Sequence, residues 1–289
     1  MKSLLIIFLV AVLLSMQNVI AQETSPVPVA STVKASPRDE SPHKSDFFTV
    51  NGVRLHYLDW GGMGEVILFL HGFPGSAHNF DEMAPKFTDK FRVLGLTRRG
   101  HGQSEKIESG YETDNLVEDV RKFLDGMKIK RVNLIGFSAG GDELTRFATI
   151  YPKRVIKLVY LDAAYDRRDV SALEKLDPLL SQTADDPSTR IEAAMMRSQD
   201  RFRPSYTKIK APALSYYAIT EEHWGLKPAT DEATRKIAQA FVETVVQPRQ
   251  WKNIEQFRKE MANGKVVVLR NTYHSFYRDP KLKERIVRE

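Results

Sequence analysis

The chain has 289 residues, of which 42% are hydrophobic and 28% charged, as in soluble globular proteins with a sizeable core. Lys and Arg number 43 against 37 Asp and Glu, a net charge of +6 at pH 7. This modest excess is mixed along the chain, without a nucleic-acid-binding motif or a basic stripe, so we expect no nucleic-acid partner. The chain has no cysteine, which excludes Cys nucleophiles, disulfides and Cys-based zinc sites.

The first 21 residues have the pattern of a secretory signal peptide. Lys2 supplies a positive start, an unbroken apolar run extends from Leu4 to Leu14, and Ala21 ends a segment suited to cleavage. The run is shorter than the ~20 residues that a membrane-spanning helix needs, which disfavours the alternative of a membrane anchor. We expect cleavage near Ala21 and export to the periplasm or the medium, without stable membrane insertion.

The segment Gln22–Lys44 has the composition of a linker. Its four prolines stand among Ser, Thr and charged residues, so it offers too little apolar surface to offset the entropy lost on ordering. We expect it to be disordered, and we expect one folded domain over residues 45–289, a length common for a single α/β unit.

Within this domain the hydrophobic pattern predicts short strands that alternate with helices. Asn51-Gly52 joins the first two strands into a hairpin, because this pair supplies positive φ angles. The predicted strands are Phe47–Val50, Val53–Leu58, Val66–Leu70, Phe91–Thr97, Arg131–Ile135, Ile156–Leu161, Ala213–Ile219 and Val266–Leu269. The predicted helices are Thr113–Met127, Ala139–Tyr151, Thr230–Val246 and one that Pro280 opens. Such alternation predicts an α/β fold: a mostly parallel sheet with an antiparallel N-terminal hairpin and helices on both faces.

The strongest chemical signal is Gly136-Phe137-Ser138-Ala139-Gly140, followed by Gly141. It lies between a predicted strand and a predicted helix, the context of a nucleophile elbow, in which a tight turn exposes a serine hydroxyl. The small neighbours leave room for that turn, and the free amides at the helix start favour an oxyanion. The alternative is a Gly/Ser turn without chemistry. We predict Ser138 as the nucleophile.

Three motifs together resemble the α/β-hydrolase superfamily. They are His71-Gly72-Phe73-Pro74, Arg99-Gly100-His101-Gly102-Gln103-Ser104 and the elbow around Ser138, and they occur in the family's order within residues 47–289. The family's usual aspartate two residues before the Arg-Gly pair is Thr97 here, at a position that is structural in the family. The resemblance implies the α/β-hydrolase fold and backbone amides of Phe73 and Ala139 that form an oxyanion hole.

The resemblance also places the base histidine after the last strand, where His274 stands. His71 and His101 belong to the loop motifs, and the other histidines precede the last strand. Activation of a serine needs a base with a pKa near neutrality, which an imidazole supplies. We predict His274 as the base.

The acid is the least conventional member of the predicted triad. Many relatives carry it in a Gly-x-x-Asp loop after the strand that is Ala213–Ile219 here, but this loop has only Glu221 and Glu222. Some relatives, such as one haloalkane dehalogenase branch, place it after the preceding strand, where Asp162 stands. We predict Asp162 as the acid. The alternatives are Glu221, Glu222, Asp166 or a triad without a strong acid, and Asp162 as a structural cap.

Residues 166–209 have the position at which this family inserts a cap, and we expect a small helical lid there. Met195, Met196, Phe202 and Tyr206 are candidates to line an apolar pocket in it, with ordinary packing as the alternative. The stretch Thr220–Gly264 is longer than a simple connection and is a candidate to complete the lid.

These assignments predict a serine hydrolase that cleaves an ester or related acyl bond of a small molecule, without cofactor or metal. Alternatives with the same triad are an aminopeptidase, an amidase or a carbon–carbon hydrolase, with perhydrolase or haloperoxidase-like side activity. Dehalogenase and epoxide hydrolase relatives need an aspartate where Ser138 stands. An alternative of another class is a non-catalytic binding protein on a hydrolase scaffold. The oligomeric state does not follow from the sequence.

Overall fold

The computed structural model describes residues 41–168, 176–179, 187–270 and 272–289. The predicted signal peptide and most of the predicted linker lie outside these residues, so export and cleavage near Ala21 stay predictions. Parts of the predicted lid, residues 169–175 and 180–186, also lie outside them. Within the described part of the chain, no helix is long and apolar enough to cross a bilayer.

Eight strands form one sheet in the order β1-β2-β4-β3-β5-β6-β7-β8. β1 pairs antiparallel with β2, and β2 pairs antiparallel with β4, whereas all other neighbours are parallel. This confirms the predicted fold class. The strands are β1 Lys44–Val50, β2 Val53–Gly61, β3 Val66–Leu70, β4 Arg92–Leu96, β5 Val132–Phe137, β6 Val155–Leu161, β7 Ala213–Ala218 and β8 Gly264–Leu269.

The hairpin between β1 and β2 turns at the predicted pair. Asn51 has a φ of 51° and Gly52 a φ of 75°. Two successive positive φ angles match the right-handed twist of the flanking strands, which is why Asn-Gly is favoured in two-residue hairpins. β1 begins at Lys44, at the last residue of the predicted linker.

Helices cover both faces of the sheet. They are α1 Thr113–Gly126, α2 Gly140–Ile150, α3 Pro187–Arg201, α4 Glu232–Phe241, α5 Gln247–Glu260 and α6 Pro280–Arg288. Successive residues of β3 face opposite sides of the sheet. Leu68 packs in one buried cluster with residues of α1, α2 and α5. Phe69 packs in a second buried cluster with a residue of α6. Every residue of β3 is buried, as expected for a central parallel strand.

The predicted helix Thr230–Val246 is helical over most of its length, but its predicted end at Val246 is wrong. α4 ends at Phe241, a π-helical turn follows over Val242–Val246, and α5 continues to Glu260. Pro248 lies in the first turn of α5, a position at which proline is tolerated. Much of the long stretch after β7 is therefore helix, and α5 packs its Ile254 and Phe257 in the core.

A buried ion pair fastens the hairpin and the loop after β4 to α1. Arg99 donates from Nε and Nη2 to the two carboxylate oxygens of Asp119, each at 2.6 Å. Asn51 Nδ2 donates to the same carboxylate at 2.7 Å. Both ionised side chains are buried, so each depends on the other for the interactions that water would supply.

We expect Asp119→Ala to lower the free energy of unfolding by about 3–5 kcal/mol, because it leaves the Arg99 guanidinium buried and unpaired. The matched control is Asp114→Ala on the same helix. Asp114 pairs with Arg146, but both side chains are exposed, and the loss should be at most about 1 kcal/mol. Urea denaturation of the three proteins measures both values. Equal losses for the two variants would contradict this account of Arg99 and Asp119.

Candidate active site

The ends of β5 and β6 bring two predicted residues to one edge of the sheet. Phe137 is paired with Leu161, the last residues of these parallel strands, and Ser138 and Asp162 each follow immediately. Both leave their strands with left-handed backbone, at φ angles of 49° and 48°. Such angles are strained for residues other than glycine and concentrate at functional sites. The two side chains therefore start from equivalent positions on neighbouring strands.

The turn at Ser138 is held by backbone hydrogen bonds. Ser138 N donates to Leu161 O at 3.3 Å, and Gly141 N donates to Ser138 O at 2.9 Å. A Cβ on Gly141 would lie 1.9 Å from Ala163 O, so only glycine lets α2 start this close to the loop after β6. Ser138 remains partly exposed at the N-terminal end of α2.

Asp162 lies against His274. The Nδ1 of His274 is 2.6 Å from Asp162 Oδ2, and the carboxylate is buried while the imidazole is half-exposed. Asp162 Oδ1 accepts from Ala218 N at 3.0 Å and from the hydroxyl of Tyr165. The two oxygens of this buried side chain thus have three hydrogen-bond partners, which hold its orientation.

The contact with Asp162 determines which nitrogen of His274 can act as a base. A carboxylate accepts, so Nδ1 carries the proton and Nε2 of the neutral ring has a free lone pair. The ring also packs on Phe137, with 4.7 Å between centroids, beside the turn that carries Ser138. Among the described residues, no hydrogen bond joins His274 to the Ser138 hydroxyl. Such contacts often form only when substrate is bound.

The loop that carries Phe73 lies beside the turn at Ser138. Phe73 packs against the small apolar cluster that contains Ala139, and a Cβ on Gly72 would lie 2.9 Å from Ser138 Cβ. Within the described part of the chain, neither amide N–H of Phe73 or Ala139 has a protein acceptor. Both N–H groups are therefore available as donors, as the predicted oxyanion hole requires.

Arg98 joins the loop that carries Phe73 to helix α2. Its backbone N–H donates to His71 Nε2 at 3.0 Å, and its Nη2 donates to His71 O at 2.7 Å. Its Nε donates to Glu143 in the first turn of α2, in a pair that is almost fully buried. Arg98 stands directly before the Arg99-Gly100 motif, and no motif in the sequence marks it as part of the site. Its contacts fix the spacing between the two candidate oxyanion donors.

The alternative acids do not reach the imidazole. Glu221 and Glu222 line the same cleft as His274, but among the described residues neither carboxylate is hydrogen-bonded to its ring. The loop that carries them is held by Gln250, whose Nε2 donates to Ala218 O and Thr220 Oγ1, each at 3.0 Å. The structure therefore brings Asp162, and neither glutamate, to His274, as predicted. The catalytic roles themselves stay predictions.

Other histidines are engaged in structural contacts. Burial lowers the pKa of His71 well below its usual range, and it lowers the pKa values of His56 and His101 to about 4. His223 is buried against Asp177 at 2.9 Å. Imidazoles that are buried in structural contacts are poor candidates for a base that must reach a substrate.

The site opens into a cleft of about 1410 Å³. Phe73, Asp162 and His274 lie on its wall, and Trp224 and Tyr273 expose most of their surface at its side. Like Arg98, Tyr165 is not predictable from the sequence, because a tyrosine three positions after an aspartate in a loop belongs to no motif. The described residues contain no group of side chains arranged to hold a metal ion.

The predicted lid residues divide between several environments. Met195 of α3 packs on the cluster of Phe73 and Ala139, so this helix does cover the oxyanion side of the site. Tyr206 is buried in the main core, and Phe202 lines a separate surface groove. Of the candidates for an apolar pocket, Met195, Phe202 and Tyr206 therefore lie in three different environments, and Tyr206 follows the alternative of ordinary packing.

Comparison with known proteins is consistent with this geometry. Residues 65–194 match the family model of the alpha/beta hydrolase fold. A bifunctional esterase/perhydrolase of Acinetobacter calcoaceticus is 31% identical over 140 residues, 48% of this chain and 51% of the relative. Epoxide hydrolase 4 of Mus musculus is 31% identical over 115 residues, 39% of this chain and 32% of the relative. The chain thus matches about half the length of these curated relatives or less.

Solved structures match over most of the chain. An esterase from Exiguobacterium antarcticum superposes with a TM-score of 0.61, covering 85% of this chain and 98% of the esterase. The two sequences are 18% identical, a level at which the likeness establishes the fold alone.

The hydrogen bond between His274 and Asp162 should be visible by proton NMR in water. We expect a low-field resonance from His274 Nδ1–H, because a short bond to a buried carboxylate deshields and protects this proton. Loss of the signal in His274→Ala assigns it, which separates it from the His223–Asp177 contact. Asp162→Asn should remove it, and Glu221→Gln and Glu222→Gln should retain it. If the resonance persists in Asp162→Asn and disappears in Glu221→Gln or Glu222→Gln, the placement of Asp162 as the partner of His274 is wrong.

Proposed function

We propose that this chain, whose residues 65–194 match the family model of the alpha/beta hydrolase fold, is a serine hydrolase that cleaves an ester bond of a small molecule. The observation that carries the proposal is the short contact between His274 Nδ1 and Asp162 Oδ2 beside the strained turn at Ser138. A nucleophile, a base and an orienting acid at one sheet edge form the arrangement that acyl transfer needs.

The first half of the reaction forms an acyl-enzyme. His274 Nε2 removes the proton from Ser138 Oγ as the oxygen attacks the ester carbonyl carbon. The resulting oxyanion accepts hydrogen bonds from the amides of Phe73 and Ala139, and the carboxylate of Asp162 stabilises the charged imidazole. The tetrahedral intermediate then expels the alcohol, which takes its proton from His274.

The second half releases the acid. Water enters the cleft, His274 Nε2 takes one of its protons, and the hydroxyl attacks the acyl carbon. The intermediate collapses with Ser138 as the leaving group, and His274 returns the proton to Ser138 Oγ. Tyr165 and Ala218 hold the second oxygen of Asp162 throughout, so the carboxylate keeps its orientation toward the imidazole.

An ester is favoured over the other substrates of this superfamily for two reasons. A serine occupies the nucleophile position, whereas the epoxide hydrolase and dehalogenase relatives that the motifs resemble need an aspartate there. The esterase/perhydrolase relative also acts on esters by its name. Amides and carbon–carbon bonds pass through the same acyl-enzyme and belong in the substrate panel.

We expect Ser138→Ala to abolish hydrolysis of nitrophenyl esters while circular dichroism stays that of the parent. Asp162→Asn should lower turnover by as much as ~10⁴-fold, because the amide favours the wrong histidine tautomer. Glu222→Gln is the matched control: its exposed carboxylate lines the cleft without contacting His274, and its effect should be small. Hydrolysis by Ser138→Ala at more than a few per cent of the parental rate would refute the proposal.

A further inference from the structure

A second cavity lies beside the cleft. It has a volume of about 220 Å³ and shares Tyr165, Trp224, Val246 and Gln250 with the cleft wall. We call it the side cavity. Tyr165 also donates to the acid Asp162, so the side cavity adjoins the candidate catalytic residues. Whole small-molecule sites occupy about 300–1,000 Å³, so a space of this size suits one part of a substrate.

The π-helical turn forms the apolar wall of the side cavity. Val245 and Val246 lie in this turn, and both line the cavity together with Phe241 at the end of α4. A π turn inserts one residue into a helix, costs hydrogen-bond geometry and occurs often at functional sites. Here two adjacent valines of the turn, Val245 and Val246, both line the cavity. Trp224 completes the apolar surface.

Charged residues also line the side cavity. Asp177 and Arg167 are among them, but Asp177 Oδ2 and Arg167 Nη2 are already buried in the described structure. An apolar occupant therefore takes neither of these two atoms out of water. The volume of the side cavity is what limits the length of a chain that it can hold.

We propose that the side cavity binds an aliphatic arm of the ester and sets its length. This inference rests on the proposed function and adds the substrate class. A heavy atom with its hydrogens fills about 30 Å³, roughly the volume of one water molecule in the liquid, so a cavity of about 220 Å³ holds about seven heavy atoms. The proposed substrate is an ester of a short to medium aliphatic chain, with longer chains disfavoured.

Val245 is the position at which to test the proposal, because it lines the side cavity and not the cleft. Val245→Phe fills the cavity, and Val245→Ala enlarges it. Ile237→Phe is the matched control: Ile237 is an exposed aliphatic residue of α4 and lines neither space. Two substrate series place the chain on either arm of the ester, nitrophenyl esters from acetate to dodecanoate and alkyl acetates from ethyl to decyl.

In one of the two series, kcat/KM of the parent should rise with chain length and fall beyond about seven heavy atoms. Val245→Phe should lower the ratio of kcat/KM for the six-carbon chain over that for the two-carbon chain by about tenfold or more. Val245→Ala should move the optimum to longer chains, and Ile237→Phe should leave the profile unchanged. A profile that Val245→Phe does not alter, or that Ile237→Phe alters equally, overturns the proposal.

A binding measurement separates this proposal from the proposed function. Isothermal titration of 1-heptanol into the Ser138→Ala protein requires no catalysis. Binding that Val245→Phe weakens about tenfold, with Ile237→Phe unaffected, supports the side cavity even when no ester is turned over. Ester hydrolysis that depends on Ser138, together with heptanol binding that is absent or insensitive to Val245, refutes the side cavity and leaves the proposed function standing.

Discussion

Parallel pairing of β5 with β6 sets Phe137 beside Leu161, and both strands end there. Ser138 and Asp162 follow these two residues directly, so the predicted nucleophile and the predicted acid lie on neighbouring strands at one edge of the sheet. Each has a left-handed backbone, which costs of order 1–3 kcal/mol for a residue other than glycine. The buried sheet between two apolar layers offsets this cost and fixes the geometry that the site needs.

The loops around this edge are held by buried polar contacts more than by apolar packing. Arg98 spans from the loop of Phe73 to α2, and Asp162 collects donors from β7, from His274 and from the loop after β6. A buried charge without a partner destabilises the fold strongly, so few other arrangements of these side chains are compatible with the folded state. These contacts hold the candidate oxyanion donors, the turn at Ser138 and the imidazole of His274 in fixed positions relative to one another.

Much of the fold is predictable from the sequence because its strands are short, apolar and bounded by clear turns. β3 has the predicted bounds, and the other strands differ by a few residues at most. The position of Asp162 was also accessible, since two residues that follow neighbouring parallel strands must reach the same edge. Its partner Tyr165 was not, because a hydrogen bond between residues three positions apart in a loop has no pattern in the sequence.

The errors have a common physical origin. The helix predicted to end at Val246 continues through a π turn into α5, whose Ile254 and Phe257 pack in the core. Tyr206 resembled a lid residue because its neighbours are polar, but its ring packs with Tyr160 and Phe257 in the core. Both outcomes depend on long-range contacts that local patterns do not contain.

The proposed function requires that Ser138 is a nucleophile activated by His274. Treatment with a fluorophosphonate, followed by peptide mass spectrometry, tests this requirement, because the reagent reacts with a serine only when a base activates the hydroxyl. We expect a stoichiometric adduct on the peptide that contains Ser138, and no adduct in the folded His274→Ala protein. An adduct on another serine, or equal labelling of Ser138 without His274, would contradict it.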